Sequence, residues 1–357
     1  MSAARAARRA AAETAPPDDL PRVEYRDGLH LVDSVVWFDA TRVHDLAFVS
    51  HAGVGGLLPH RKIVTTEPTL RLLRALHPGA AARLRAVDLL ASPYGRTFSL
   101  GALDLSLLPA GHVLGSAQLL VRTARDRTVL YAGDVCLDRR ATAEPCEVRR
   151  ADVLVLDPTF GAPAFRFPPR AEVRARILEW CRAQLAAGAV PVLVASPLGG
   201  APELARLCGE AGLPVRAHAT IYRVARAFAA LGVELNVKRL GAAPHAGEVV
   251  LVPPGAQAAP AVAAAAAAAP GWSAARFALC SAWSALPEVA ARAQVHAAFA
   301  LSDHAGADAL VRFAEAVAPR VTYLTRAPDP ELAAALGRFT TIRAVPPPAQ
   351  LDLFQGA

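Results

Sequence analysis

Short apolar runs separated by turn residues dominate the first 160 residues of the chain. Gly, Pro and Asp bound these runs, which fits strands better than helices. One exception is residues 68–77, where apolar positions recur at helical spacing behind a first-turn proline and predict a helix. The predicted strands lie in the runs LHLVDSVVWFDA, DLAFVSH, KIVTTEP, LDLSLLPAGH, AQLLVRTA, RTVLYAGD and ADVLVLDPTF.

After Phe167 the pattern changes to alternating helices and strands. Helices are predicted over residues 170–187, 201–211 and 220–231, between the apolar strands VPVLVAS, LPVRAH and GEVVLVPP. This βα alternation predicts a parallel sheet and a domain boundary near residue 160. The run AQAAPAVAAAAAAAPGW is interpreted as a linker or short surface helix. Beyond it, RFALCSAW, HAAFALSDH and RVTYLT predict strands, with a helix over 305–317 and a final helix and strand.

Composition indicates a globular protein with an anionic partner. Of the residues, 54% are hydrophobic, and the net charge is +7 with a pI near 9.6. A positive field favours nucleic acid, although arginine can also be the default solvated residue in such a composition. The longest apolar stretch, nearly all alanine, is too short to span a bilayer, so no membrane partner is expected. The N-terminal residues lack a secretory apolar region, and we interpret them as a disordered tail on a cytoplasmic protein.

Four polar residues end predicted strands in glycine-rich settings: His51, His112, Asp134 and His304. Histidine and aspartate are ligands for zinc or manganese, and strand ends at one rim bring distant positions together. Taken singly, each residue is better explained as a capping or hydrogen-bonded core residue. The five cysteines form no C-x-x-C pair, so neither a disulfide framework nor a thiolate zinc site is expected.

Read in order, the segments VSH, AGHVLGSAQ, YAGD, VLVLDPTFG, PLGGAPEL, AH, CSAW and LSDH resemble the metallo-β-lactamase fold with a β-CASP insertion. More narrowly, the chain resembles the prokaryotic DNA-ligase-associated exonucleases. The resemblance implies an α/β protein, a metallo-β-lactamase αββα sandwich with an inserted α/β β-CASP domain. The implied division is a disordered tail at 1–19, a first metallo-β-lactamase part at 20–160, a β-CASP domain at 161–300, a closing part at 301–345 and a C-terminal tail at 346–357.

The chain departs from this family at its metal-binding motifs. Where the family has H-x-H-x-D-H, the chain has His51 followed by Gly53, Gly55 and Gly56. Where the family has T-H-G, the chain has Thr325-Arg326-Ala327. The resemblance therefore leaves His51, His112 and Asp134 for a first metal and only Asp134 for a second. It implies at most one zinc or manganese ion at a weakened site, and no two-metal site is expected.

The β-CASP motifs are retained at Asp157, His218 and His304. In the family these residues lie beside the metals, position the scissile phosphate and assist proton transfer. The alternative is a hydrogen-bonded network that holds the two domains together. These two interpretations have equal weight.

Three functions compete. The first is a DNA-repair-associated protein that binds nucleic acid but has weakened or lost phosphodiester hydrolysis. The second is an active metal-dependent exonuclease with a single-metal site or a site rearranged around His44, Asp45 and His60. The third is a small-molecule metallo-hydrolase, against which the groove-forming β-CASP insertion counts.

The expected partners follow from the same resemblance. DNA is favoured, with RNA as the alternative, and a DNA ligase and a helicase are candidate protein partners. The segment Gln350, Leu351, Asp352, Leu353 and Phe354 follows three prolines and looks like a peptide that docks on a bacterial sliding clamp. The alternative for this segment is an edge strand on the chain's own sheet.

Overall fold

The computed structural model describes residues 19–54, 58–79, 87–241, 246–255 and 274–345. Within these ranges the chain forms three sheets and seven helices, which confirms a mixed α/β protein. The helices are α1 (Glu67–Leu76), α2 (Arg170–Ala186), α3 (Gly200–Glu210), α4 (Ala219–Ala229), α5 (Pro287–Arg292), α6 (Ala307–Val317) and α7 (Pro330–Leu336).

The first sheet has the strand order β1-β2-β3-β4-β5-β6. Its first three strands are antiparallel, and the pairs from β3 to β6 are parallel. Parallel pairing brings the ends of β4 and β5 to one edge of the sheet. The strands are β1 (Val23–Tyr25), β2 (Leu29–Leu31), β3 (Trp37–Phe38), β4 (Leu46–Phe48), β5 (Lys62–Thr65) and β6 (Asp88–Ala91).

The second sheet has the order β19-β18-β11-β10-β9-β8-β7. Strands β7 to β10 form an antiparallel meander, and β10, β11, β18 and β19 are parallel neighbours. The end of the chain thus returns to a sheet begun some two hundred residues earlier. The strands are β7 (Thr97–Leu100), β8 (Leu103–Pro109), β9 (Ala117–Arg122), β10 (Thr128–Gly133), β11 (Val153–Leu156), β18 (Val321–Leu324) and β19 (Thr341–Ala344).

These two sheets pack face to face over one apolar core. In β10, Val129 and Tyr131 face the first sheet and contact the core around Phe38 and Phe48. The alternate residue Leu130 faces the other way, into a core that α6 and α7 cover. Strand periodicity explains why both faces are apolar, since each face is buried against a different layer. Helix α1 covers the outer face of the first sheet, so the layers run helix, sheet, sheet, helix.

The third sheet is parallel throughout, with the order β14-β13-β15-β12-β16-β17. This confirms the parallel sheet predicted from the βα alternation. Helices α2, α3 and α4 cover one face, and their core continues through α1 to the first sheet. The strands are β12 (Val190–Val194), β13 (Val215–Ala217), β14 (Val237–Arg239), β15 (Val249–Val252), β16 (Ala275–Cys280) and β17 (Ala297–Phe299).

Most predicted elements are present in the structure. All five helices predicted with residue bounds appear within two residues of those bounds, and each quoted apolar run holds a strand. The prediction missed β1, β6, β7, β14 and α5. Most side chains of β6 and β14 are exposed, as are half of those of β7. The alanine-rich run from 256, the N-terminal tail before residue 19 and the segment 350–354 lie outside the described residues.

Two further sequence expectations concern thiols and membranes. All five cysteines are free thiols, as expected from the missing C-x-x-C pair. Among the described residues, no helix combines the length and apolar character that a bilayer crossing requires.

We call the first and second sheets, which pack face to face, the sandwich. A buried cluster of three charged residues joins the helices of the third sheet to it. Glu203 on α3 is 3% exposed and accepts hydrogen bonds from Arg140 at 3.3 Å and from Arg170 at 2.6 Å and 2.8 Å. Arg140 also donates to the carbonyl oxygens of His112 and Gly199, and Arg170 donates to that of Ser302. One carboxylate therefore anchors three loops from distant parts of the chain.

We predict that Glu203→Ala lowers the free energy of unfolding by about 3–5 kcal/mol, because it leaves Arg140 buried without its anion and leaves Arg170 paired with the more exposed Asp138. The matched control is Glu210→Ala on the same helix, whose carboxylate pairs with Arg174 and Arg206 at the surface. That loss should stay under about 1 kcal/mol. Urea denaturation of both variants measures the difference, and equal losses would contradict the anchoring role.

Candidate functional site

Three of the predicted metal ligands converge at one edge of the sandwich. His51 follows β4, His112 follows β8 and Asp134 follows β10 directly. The His51 Nε2 atom lies 3.6 Å from Asp134 Oδ2, and His112 Nε2 lies 3.9 Å from the same oxygen. The ligand atoms of all three residues fall within 4.8 Å of one another. The structure thus brings together, at ligand spacing, residues that are up to 83 positions apart in the sequence.

Hydrogen bonds fix both imidazoles in the tautomer that a metal site needs. His112 Nδ1 lies 2.9 Å from the carbonyl oxygen of Asp303, which can only accept, so Nδ1 carries the proton. His51 Nδ1 lies 2.9 Å from Ser50 Oγ, whose own hydrogen is donated to Asp39. Both Nε2 atoms therefore direct a lone pair toward Asp134.

Asp39 supports His51 from behind and was not foreseen from the sequence. Its carboxylate accepts hydrogen bonds from Ser50 N at 2.7 Å, Ser50 Oγ at 2.6 Å and Tyr131 Oη at 2.7 Å. Burial raises the pKa of Asp39, although His51 and the Ser50 and Tyr131 donors oppose that rise. The relay from Asp39 through Ser50 orients the His51 ring.

Asp303 extends the cluster, and the sequence analysis also missed it. His304 Nε2 lies 3.3 Å from Asp303 Oδ1, while His304 Nδ1 lies 3.8 Å from Asp134 Oδ1. His112, Asp303 and His304 form a second group of side chains that could hold an ion. The only sequence signal for Asp303 was its place beside His304 in the LSDH segment.

The charges of this cluster are strongly coupled. Burial lowers the pKa of His112 to about 3, and the neighbouring His304 and His51 act in the same direction, so its imidazole is neutral at physiological pH. Burial works to raise the pKa of Asp134, but His304, His112 and His51 lower it below its ordinary value. For Asp303, burial is likewise outweighed, and His304, His112 and Arg140 hold the pKa well below the usual range. The neutral His112 imidazole thus faces ionised carboxylates, and both kinds of group are in the protonation state that binds a cation.

Asp157 lies across the cavity in a different environment. Its Oδ1 accepts from Thr159 N at 2.8 Å and from Thr159 Oγ1, and its Oδ2 accepts from Thr325 Oγ1 at 2.8 Å. Arg326 Nε completes the set at 3.4 Å from Oδ2. Arg326 therefore forms an ion pair with Asp157.

His218 is placed differently from the other predicted residues. It caps the N-terminus of α4, where its Nδ1 accepts a hydrogen bond from Thr220 N at 3.3 Å. Burial, with a contribution from Arg223, lowers the pKa of His218. Thr220 borders the cavity beside His51 and His112, whereas His218 is not among the residues that form its wall.

The alternative ligands are His44, Asp45 and His60. They lie at the ends of β4 and β5 that are opposite to the end carrying His51. His44 and Asp45 precede β4 and His60 precedes β5, whereas His51 follows β4. His44 stacks on Trp37 at 3.6 Å between ring centroids, and its backbone N–H donates to His60 Nδ1 at 3.2 Å. The strand separates these residues from the His51 cluster, so they do not complete its metal site.

Gly53 leaves the space that the His51 ring occupies. A Cβ atom at Gly53 would lie 2.9 Å from His51 Nε2 and 3.5 Å from Leu198 Cδ1. A side chain at this position would therefore meet His51 Nε2, so the His51 ring would have to shift to make room.

Two cavities meet at the cluster and form a groove. One has a volume of about 820 Å³ and reaches from His51 to the third sheet, and the other, of about 470 Å³, extends past Asp157 to Arg326. His51, Asp134 and His304 border both. Trp283, which is 45% exposed, also borders both cavities and packs on Phe160 at 5.0 Å between ring centroids.

No protein-family model matches the chain. Comparison with individual proteins, in contrast, finds several relatives. A probable DNA ligase of Opitutus terrae is 35% identical over 300 residues, which are 84% of this chain and 28% of that protein. An uncharacterized protein in the lig 3′ region of Acidianus ambivalens is 29% identical over 34% of this chain and 81% of its own length. The endoribonuclease ysh1 of Aspergillus fumigatus is 30% identical over 33% of this chain and 13% of its own length.

Solved structures also share the fold, and one of them serves as an example here. It is a crystal structure of a protein of unknown function from Enterococcus faecalis, with a TM-score of 0.55, 12% identity and coverage of 84% of this chain and 78% of that one. The chain spans less than a third of the length of the probable DNA ligase that it matches. The names of two of these sequence relatives concern DNA ligation and RNA cleavage.

We predict a pH-dependent contribution to stability from His60, which is 2% exposed. Burial, with a contribution from His44, lowers the pKa of His60 to about 4. The unfolded chain therefore binds this proton more readily, and stability present above pH 6.5 is lost as the pH falls toward 4. His60→Gln, which can still accept the His44 N–H, should make that decline shallower in urea denaturation between pH 4 and 7. An unchanged slope would contradict the buried neutral imidazole.

Proposed function

We propose that this chain is a nucleic-acid-binding protein of the β-CASP metallo-β-lactamase lineage, associated with DNA repair, in which two-metal phosphodiester hydrolysis is lost. One observation carries the proposal: Arg326 forms an ion pair with Asp157 in the same cavity that His51 and Asp134 border. This guanidinium stands at the position where the resembled family has a metal-binding histidine.

The first metal position retains a plausible ligand set. Ligand atoms about 2.0–2.2 Å from a tetrahedral zinc ion lie about 3.4 Å apart, close to the 3.6 Å and 3.9 Å separations here. His51, His112 and Asp134 would hold one zinc or manganese ion and leave a position open. Such an ion, when bound, supplies a positive charge and a polarised water in the groove. The neighbouring residues Asp39, Ser50 and Asp303 orient the two imidazoles.

The second metal position does not fit an ion. Of the residues that would hold it, the chain keeps Asp134, and Arg326 stands where the resembled family has a histidine. A guanidinium has no lone pair to offer a metal, and its charge repels a cation. Hydrolysis that relies on two ions would lose several kcal/mol of transition-state stabilisation, or about a thousandfold or more in rate.

The net charge of +7, the groove between the sandwich and the third sheet, and relatives named for DNA ligation and RNA cleavage support nucleic acid as the partner. We further propose the division into a metallo-β-lactamase unit and a β-CASP insertion over residues 161–300. DNA ligase, helicase and sliding clamp remain proposed partners, the last through residues 350–354.

We predict that the protein, purified without chelators and loaded with Zn²⁺, binds about one ion per chain. His112→Ala should lose most of this metal, because it removes one of the three ligands. His60→Ala, a buried histidine at the opposite edge, is the matched control and should keep it. Elemental analysis after gel filtration gives the ratio, and two ions per chain would contradict the proposed function.

We also predict salt-sensitive binding of DNA without turnover. Anisotropy of a labelled oligonucleotide should show log K falling with log salt by about 0.7 per phosphate contact for a single strand. Gel assays with Mg²⁺, Mn²⁺ or Zn²⁺ should show no robust hydrolysis.

Combining Gly53→His, Gly55→Asp, Gly56→His and Arg326→His restores the family ligand set and should raise metal binding. Rapid cleavage by the wild type that Asp134→Ala abolishes would instead establish an active nuclease.

A further inference from the structure

Trp283 is an exposed aromatic residue that the proposed function does not yet use. It lies in a 3-10 turn, Ala282–Ala285, where its backbone N–H donates to Ser281 Oγ at 3.3 Å. Its ring packs on Phe160 and meets Phe165 edge to face, with centroids 5.0 Å and 5.6 Å apart. These contacts hold one part of the indole, yet 45% of the residue stays exposed. A fixed aromatic surface therefore faces the groove.

Arg326 borders the same cavity as Trp283 and has hydrogen-bonding capacity to spare. Its Nε donates to Asp157, and within the part of the chain that the structure describes its two terminal amino groups have no protein partner. The side chain is 64% exposed. A guanidinium with free terminal donors matches the oxygens of a phosphate in a bidentate arrangement.

Two carboxylates that border the same cavity as Arg326, those of Asp157 and Asp134, already have protein partners. The Asp157 carboxylate is neutralised by Arg326 and by hydroxyl donors from Thr159 and Thr325. Asp134 faces the three histidines at the centre of the groove. A phosphate is therefore favoured at the Arg326 side of the cavity.

We propose that the groove binds a single-stranded polynucleotide, with one unpaired base stacked on Trp283 and a phosphate of the same strand bound by Arg326. This deepens the proposed nucleic-acid binding and rests on it. An aromatic ring at a groove wall can stack only on a base that is not enclosed in a duplex, and such stacking tolerates any base. The occupant is therefore a single strand, bound with little sequence preference.

The test compares two labelled single strands of equal length, one of thymidines and one of abasic sites, which share phosphates but differ in bases. Trp283→Ala should weaken binding of the thymidine strand by about 5- to 150-fold, the range for one stacked base, and leave the abasic strand unchanged. Trp283→Phe keeps an aromatic face and should retain most of the affinity. Arg326→Gln should weaken both strands and reduce the salt slope by about 0.7, whereas Arg338→Gln, at an exposed position away from the groove, should change neither.

The outcomes separate the two proposals. If the wild type binds neither strand, nucleic-acid binding itself is wrong, and this inference falls with it. If the wild type binds both strands and Trp283→Ala binds them equally well, only the stacking site is wrong. Circular dichroism and thermal melting of each variant identify a folding defect. Such a defect would weaken binding of both strands and leave the ratio of the two affinities unchanged. A duplex bound more tightly than the thymidine strand would also overturn the inference.

Discussion

The arrangement of the site depends on one buried carboxylate held between two guanidinium groups. Glu203 contacts Arg140 and Arg170, and these arginines reach the backbone carbonyls of His112, Gly199 and Ser302. Each contacted loop borders the groove or leads into it. Buried ion pairs gain little stability over apolar packing, because desolvation offsets their attraction. Their value here is geometric, since Arg140 and Arg170 have many donors and can tie several carbonyls to one anion.

The layers above and below this anchor explain why the groove stays open. The sandwich core and the third sheet's core are each close-packed, and α1 is shared between the first sheet and the helices of the third. On one side of the groove, apolar packing thus fixes the distance between the sandwich and the third sheet. Polar contacts such as Ser196 Oγ to Asp303 Oδ2, at 3.2 Å, cross the groove on the other side. The cluster of histidines and aspartates lies between the apolar contacts on one side of the groove and the polar contacts on the other.

The sequence predicts the elements whose apolar residues follow a local pattern. It does not predict the strands and site residues that depend on partners far along the chain. Buried strands such as β11 and β12 are continuous apolar runs and were found, as were helices with an apolar face. Edge strands such as β14 consist mostly of polar or exposed residues and acquire their conformation from a neighbour. The same limit applies to the site. His51, His112, Asp134 and His304 carried glycine-rich signals, but Asp39, Asp303, Glu203 and Trp283 matter only through partners far along the chain.

The contact between Gly53 and His51 has a consequence for how such a site changes over generations. The motif that this segment resembles carries a histidine at position 53, and here the His51 ring fills the volume that such a side chain would need. A side chain at position 53 requires the His51 ring to shift, and the Ser50 hydroxyl holds that ring on its other side. The two positions are therefore coupled, and the effect of a substitution at 53 depends on how far the His51 ring can move.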